Sequence, residues 1–298
     1  MIIYRFQAPC RTFQWLAVLV FPLLSGIAHS EIIHLQTDSG LTINAEYLDT
    51  TSSAPPILIQ HGFLQTRDFF TVRRIGNALH EAGYKVLLPN LSLGINNRRQ
   101  SLACEAVHNH SMQQDTNEIA LWVDWLYDQT DRPVTLIGHS AGSLNLVSYL
   151  DAYPDSPVEK SLLISLIAFL QGPVAKENAA ERLRAEADLN RNGVRIERYR
   201  LAYCDYYATT AKKYLSYLAW APHRTLKAIS GMKIKPTIIF GGGDDRLGPD
   251  WKPQLQSHQA HIIEIDGANP LLSHSWIVIK RTSSGVRFFL WVAVQGRS

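Results

Sequence analysis

Short apolar runs alternate with longer stretches of helical periodicity along most of the chain. Residues 32–35 and 41–48 predict two strands around the turn Asp38-Ser39-Gly40, and the alternation in the second predicts one solvated face. Residues 56–60, 85–89, 133–137, 160–166, 236–240 and 261–265 are compact apolar runs rich in Ile, Leu and Val. They have little polar alternation, as expected of parallel strands covered on both faces. Between them, residues 69–82, closed by Gly83, and residues 143–150 read as helices. So do residues from about 115 to 127, with Ile119, Trp122, Val123 and Leu126 on one face. Strands alternating with helices predict an α/β fold, a mainly parallel sheet with helices on both faces.

The stretch 172–229 changes character. It is rich in Ala, Arg, Glu and Tyr and has no strand of the core type. It predicts a mostly helical cap, inserted between core segments 31–171 and 230–298. Within it, Asp188-Leu189-Asn190-Arg191-Asn192-Gly193 matches the first half of a calcium-binding loop, but the twelfth position is Tyr199 where a bidentate Glu is needed. A polar turn capping a helix is the reading adopted. Tyr199, Tyr203, Tyr206, Tyr207, Tyr214, Tyr217 and Trp220 form an aromatic belt, read as packing between cap and core.

The ends and the composition add three points. Arg5 and Arg11 precede the apolar run 15–24, which is short for a bilayer span, and Ala28-His29-Ser30 offers small residues for a signal peptidase. Residues 1–30 therefore read as a signal peptide and the protein as exported, to the periplasm or the extracellular space, without a stable membrane span after cleavage. Cys104 and Cys204 are then the two cysteines of the mature chain, and an oxidising compartment favours one disulfide between them. A net charge of +3 over 298 residues gives no case for nucleic acid, and Arg73-Arg74 and Arg98-Arg99 read as solvated surface. His108 and His110 have no further metal-ligand cluster beside them, so no metal is expected.

The chemistry centres on Gly138-His139-Ser140-Ala141-Gly142, a G-x-S-x-G between a predicted buried strand and a predicted helix. The sharp turn strains the central Ser, and a side chain at either glycine would collide with a neighbouring element. A helix starting behind Ser140 points free N–H groups and its positive end at the hydroxyl. In this context the sequence resembles the α/β-hydrolase family. His61-Gly62-Phe63-Leu64, after the strand 56–60, matches the position where that family opens its oxyanion loop. The resemblance implies Phe63 N–H and Ala141 N–H as oxyanion donors, with His61 structural. It also places an acid after the strand 236–240, often as G-x-x-D-x-x-x-P. Gly242, Asp245 and Pro249 fit, which makes Asp245 the acid and Asp244 the alternative. The three glycines before them lack the lysine and Ser/Thr of a phosphate-binding loop.

The tail departs from the family pattern. The family's base would fall at position 270, where this chain has Pro270, and the first following histidine is His274. Residues 277–285 are β-branched and then break, and residues 286–294 read as a short apolar helix. With His274 as base, the resemblance implies a serine hydrolase acting on a small-molecule or lipid-like carboxylic ester, without a cofactor. The same triad would serve a peptidase or amidase, and a chain lacking the base would be a hydrolase-like binding protein.

Overall fold

The computed structural model describes residues 29–172, 175–244, 246–268, 279–282 and 285–288. The predicted signal peptide, apart from His29 and Ser30, lies outside them. β1 (His29–Gln36) and β2 (Thr42–Asp49) form the expected opening antiparallel hairpin, in register from His29 opposite Asp49 to Gln36 opposite Thr42. The chain then runs through β3 (Ile57–Gln60), α1 (Phe70–Glu81), β4 (Val86–Asn90), α2 (Met112–Thr130), β5 (Val134–His139), α3 (Ala141–Ala152) and β6 (Val158–Ile164). After the insertion come β9 (Thr237–Gly241), α7 (Trp251–Ser257) and β10 (His261–Ile265). These strands make one eight-stranded sheet of order β1-β2-β4-β3-β5-β6-β9-β10, antiparallel at β1–β2–β4 and parallel from β4 to β10.

The apolar runs are covered on both faces except at the edge strand β10, where His261 and Glu264 are exposed. Leu58, Leu87, Leu136, Ile238 and Phe240 share one core with Ile119, Trp122, Val123 and Leu126 of α2 and with Leu144 and Val147 of α3. Their neighbours Ile57, Ile59, Val86, Leu88, Ile137 and Ile239 face the other way, into a second core with Val72, Ile75 and Leu79 of α1. Adjacent residues on a strand point to opposite faces, so a run with no polar member fills two cores at once. α2 begins three residues earlier than the periodicity places it, because Ser111 caps it by accepting the Gln114 N–H at 3.3 Å.

Between β6 and β9 the structure has α4 (Ala175–Asn192), the hairpin β7 (Ile196–Leu201) and β8 (Cys204–Thr210), α5 (Ala211–Leu218) and α6 (Pro222–Gly231). Among the described residues the hairpin pairs only with itself, and it is absent from the sequence reading, its apolar positions being mostly tyrosines. The polar run from Asp188 is the last turn of α4 rather than a separate turn, with Asp188 held by Arg191 at 2.9 Å and by the Tyr199 hydroxyl at 3.0 Å. In the aromatic belt Tyr199, Tyr207, Tyr214, Tyr217 and Trp220 are buried, whereas Tyr203 and Tyr206 are exposed.

The tail corrects one expectation. Residues 286–288 belong to β12 (Gly285–Phe288), antiparallel to β11 (Ile279–Thr282), and not to a helix over 286–294. The register runs from Ile279 opposite Phe288 to Thr282 opposite Gly285. Residues 289–294 lie outside the described residues.

Candidate active site

Ser140 sits in the single-residue turn between β5 and α3, at φ 56° and ψ −122°. Such a backbone costs on the order of 1–3 kcal/mol for a residue with a Cβ, so the surroundings must hold it. Its N–H donates to the Ile164 carbonyl of β6 at 2.8 Å, and Ser143 Oγ donates to the same carbonyl at 2.9 Å. The flanking glycines make the turn possible. A Cβ on Gly138 would stand 2.6 Å from the Ser143 Cα, inside the first turn of α3. One on Gly142 would stand 2.3 Å from the His61 carbonyl oxygen and 2.6 Å from that of Gln60. The second clash shows that the elbow packs directly against the end of β3, which brings the His61-Gly62-Phe63 loop beside Ser140.

That loop is held from several sides. The Gly62 N–H donates to Gln65 Oε1 at 3.2 Å, and the Tyr203 hydroxyl donates to the Phe63 carbonyl at 3.0 Å. The Phe63 N–H and the Ala141 N–H donate to no acceptor among the described residues. Phe63, His139 and Ser140 line a cavity of about 400 Å³, whose further wall includes Ile167, Phe169 and Leu247. The exposed wall is mainly apolar, and Gln65, His139, Ser140, Gln171, Asn178 and Arg246 supply polar groups to it, a makeup that suits a small-molecule site.

Arg98 departs most from expectation. The sequence places it on the solvated surface; it is 3% exposed. Its Nε donates to the Leu91 carbonyl at 2.6 Å, Nη1 to Gln100 at 2.7 Å and Nη2 to Gln65 at 2.8 Å, while Nη2 also reaches His61 Nε2 at 3.2 Å. An arginine inside a polar stretch, next to the exposed Arg99, carries no local sign of burial; the acceptors come from three separate segments. Burial lowers the His61 imidazole to about 3, and the nearby Arg98 charge acts in the same direction.

His108 and His110 take part in a buried polar network. His108 stacks on Tyr207 with ring centroids 4.0 Å apart, and the Tyr207 hydroxyl lies 3.1 Å from His110 Nε2. The Tyr217 hydroxyl donates to Asp115 Oδ2 at 2.6 Å and also contacts His110 Nδ1. Asn145 Nδ2, on α3, donates to the same carboxylate oxygen at 3.2 Å. The network ties α2 and α3 to β8 and α5.

Asp245 and His274 lie outside the described residues. Among the described residues that precede them in the chain, the Gly242 N–H donates to the Ile265 carbonyl at 2.8 Å and the Gly243 N–H to the Ala268 carbonyl at 3.0 Å. The loops after β9 and β10 thus run side by side at the sheet end that carries Ser140. Asp244, the alternative acid, has a fully buried side chain gripped on both oxygens by Arg246, Nε to Oδ1 and Nη2 to Oδ2, each at 2.9 Å. This bidentate pair takes one lone pair on each carboxylate oxygen.

Residues 55–166 match the family model described as the alpha/beta hydrolase fold. Solved structures agree. The α/β hydrolase GrgF from Penicillium sp. sh18 superposes with a TM-score of 0.61 at 13% identity, over 82% of this chain and 91% of that one. The thioesterase domain from the curacin biosynthetic pathway gives 0.59 at 17%, over 82% and 94%, and Est1E from Butyrivibrio proteoclasticus 0.57 at 15%, over 82% and 91%. At such identities the likeness is one of fold. No curated protein matches the sequence. The chain is an α/β-hydrolase-fold protein.

Proposed function

We propose that the protein is an exported serine hydrolase that cleaves a carboxylic ester through an acyl-enzyme on Ser140. One observation carries the reading: a serine in a strained left-handed turn, on the wall of a mainly apolar cavity, beside two backbone N–H groups without acceptors among the described residues. In this reading the Ser140 hydroxyl attacks the ester carbonyl while His274 takes its proton. The tetrahedral oxyanion accepts hydrogen bonds from the Phe63 and Ala141 N–H groups. His274 then gives the proton to the departing alkoxide, releasing the alcohol. Water repeats the sequence on the acyl-enzyme and releases the acid. Asp245 holds the imidazole in the right tautomer and balances the imidazolium. None of these steps calls on a cofactor or metal.

The apolar lining supports a small-molecule or lipid-like acyl group. Residues 172–229 serve in this reading as the cap that shapes the pocket, with Tyr203 and Tyr207 both packed on Phe63 of the oxyanion loop. Export is supported by the disulfide between Cys104 and Cys204, a bond that persists in oxidising compartments. No helix among the described residues is long and apolar enough to cross a membrane.

The test is hydrolysis of p-nitrophenyl esters of increasing chain length, with the matching anilides alongside. The ester series is expected to turn over faster than the anilides, and Ser140→Ala to lose on the order of a million-fold in kcat. Equal rates in wild type and Ser140→Ala would remove Ser140 as nucleophile, and faster anilide turnover would make the protein an amidase.

A further inference from the structure

We propose that His61 and Arg98 together are positioning residues that turn the Gly62–Phe63 peptide so that its N–H faces the Ser140 cavity. The proposal rests on the reading of Phe63 N–H as an oxyanion donor. It begins with the proton on the His61 ring. His61 Nε2 lies 3.2 Å from the Leu91 N–H and 3.2 Å from Arg98 Nη2. Both partners are donors only, so Nε2 must offer its lone pair. The ring proton of the neutral imidazole is therefore on Nδ1, which donates to the Gly62 carbonyl at 2.9 Å.

The consequence follows from the geometry of a trans peptide. Carbonyl and N–H of one peptide unit point in opposite directions. With the Gly62 oxygen drawn to the His61 ring, the Phe63 N–H of the same unit must point away from it. That N–H donates to no acceptor among the described residues, and Phe63 lines the cavity together with Ser140. Arg98 secures the arrangement at two points. It faces the ring with a donor, so that an Nε2–H tautomer would set N–H against N–H. It also grips the Gln65 carbonyl at 2.8 Å, and Gln65 is the residue whose side chain takes the Gly62 N–H. Both ends of the turn from Gly62 to Gln65 are thereby tied to one buried guanidinium. Burial and the Arg98 charge keep the ring neutral, which preserves this donor and acceptor pattern across the working pH range.

Two substitutions separate the two faces of the ring. In His61→Asn the amide falls near the Nδ1 position and can still donate to the Gly62 carbonyl. In His61→Gln it falls near Nε2 and keeps only the acceptor for the Leu91 N–H. With a p-nitrophenyl ester, His61→Gln is expected to lose about 10²–10³-fold in kcat with KM nearly unchanged, as for loss of one oxyanion donor. His61→Asn is expected to recover most of that loss. Affinity for a trifluoromethyl ketone, which forms a tetrahedral oxyanion on Ser140, should fall in step with kcat/KM. His61→Gln with wild-type kcat, or two variants whose activities follow their thermal midpoints alone, would overturn the proposal. A measurement on the wild type needs no variant to fold: long-range ¹H–¹⁵N correlation should show His61 neutral with its proton on Nδ1, and a proton on Nε2 would overturn the proposal. A wild type that neither hydrolyses esters nor reacts with a fluorophosphonate would instead refute the hydrolase reading, and with it the oxyanion role, while the tautomer would still report on the clamp itself.

Discussion

Gly142 lies against His61 so closely that a methyl group on it would stand 2.3 Å from the His61 carbonyl oxygen. The contact joins the first turn of α3 to the end of β3, the two segments that flank the proposed oxyanion site. Gly142→Ala must therefore move one of them. An overpacked core position typically costs about 1–3 kcal/mol. The expected result is a lower urea midpoint together with an activity loss larger than the fraction unfolded explains. Wild-type kcat in a stably folded Gly142→Ala would show that the contact does not govern the site.

Asp245 and Asp244 should behave differently. Asp244 is held on both oxygens by Arg246, so its substitution removes the ion-pair partner of a cavity-lining residue. If Asp245 orients His274, Asp245→Asn should cost about 10⁴-fold in kcat, and Asp244→Asn far less. Steady-state kinetics on both variants decides, and the reverse ranking would move the acid to Asp244.

Cys104 and Cys204 are bonded, their Cα atoms 5.3 Å apart across a sequence separation of 100. Next to the bond, the His108 N–H donates to Ala208 at 2.8 Å and Thr209 Oγ1 to His108 at 2.6 Å, so the connection before α2 is stitched to β8. Closing a loop of this size is worth up to ~4–5 kcal/mol in the chain-entropy model. The double variant Cys104→Ser/Cys204→Ser should unfold at a clearly lower urea concentration, and non-reducing peptide mapping should recover one cross-linked pair. Two freely alkylated thiols in protein taken from its own compartment would contradict this.

Much of this architecture was legible in the residue pattern. The six core strands were readable because each holds a compact cluster of Ile, Leu, Val or Phe with little polar alternation, and the elbow because its glycines sit where only a bare Cα fits. The hairpin β7–β8 was not, since alternating Tyr, Arg and Glu do not distinguish a strand from an amphipathic helix. Arg98 was not either, because its burial depends on acceptors at Gln65, Leu91 and Gln100 that only the folded chain assembles. The same holds for Glu118, which the periodicity of α2 leaves on a polar position, yet which accepts the Ser92 N–H at 2.7 Å in the interior.

Glu118 gives the protein a specific pH response. Burial pushes its carboxyl from the ordinary 4.5 up to about 7, against the hydrogen bonds from Ser92. Between those two values the native state holds more protons than the unfolded state, so this group makes stability fall as pH rises. His61 and His108, lowered by burial from 6.5 to about 3 and about 4, act the opposite way: their neutral forms favour the native state above 6.5, and stability is lost as pH falls through that window. Comparison with Glu118→Gln isolates the first effect. Wild-type stability relative to the variant should decline between pH 4.5 and 7 and then level off, as read by urea midpoints. Parallel pH profiles would show that Glu118 ionises normally.

The central claim is that Ser140 is a nucleophile activated by a histidine on the loop after β10. Its most direct test is the rate of labelling by a fluorophosphonate probe, with the modified residue located by mass spectrometry. The account predicts rapid stoichiometric labelling at Ser140, none in Ser140→Ala, and a large loss of rate in His274→Ala with the fold intact. An unlabelled wild type would leave a hydrolase-like binding protein, and labelling that persists unchanged in His274→Ala would show that His274 is not the base.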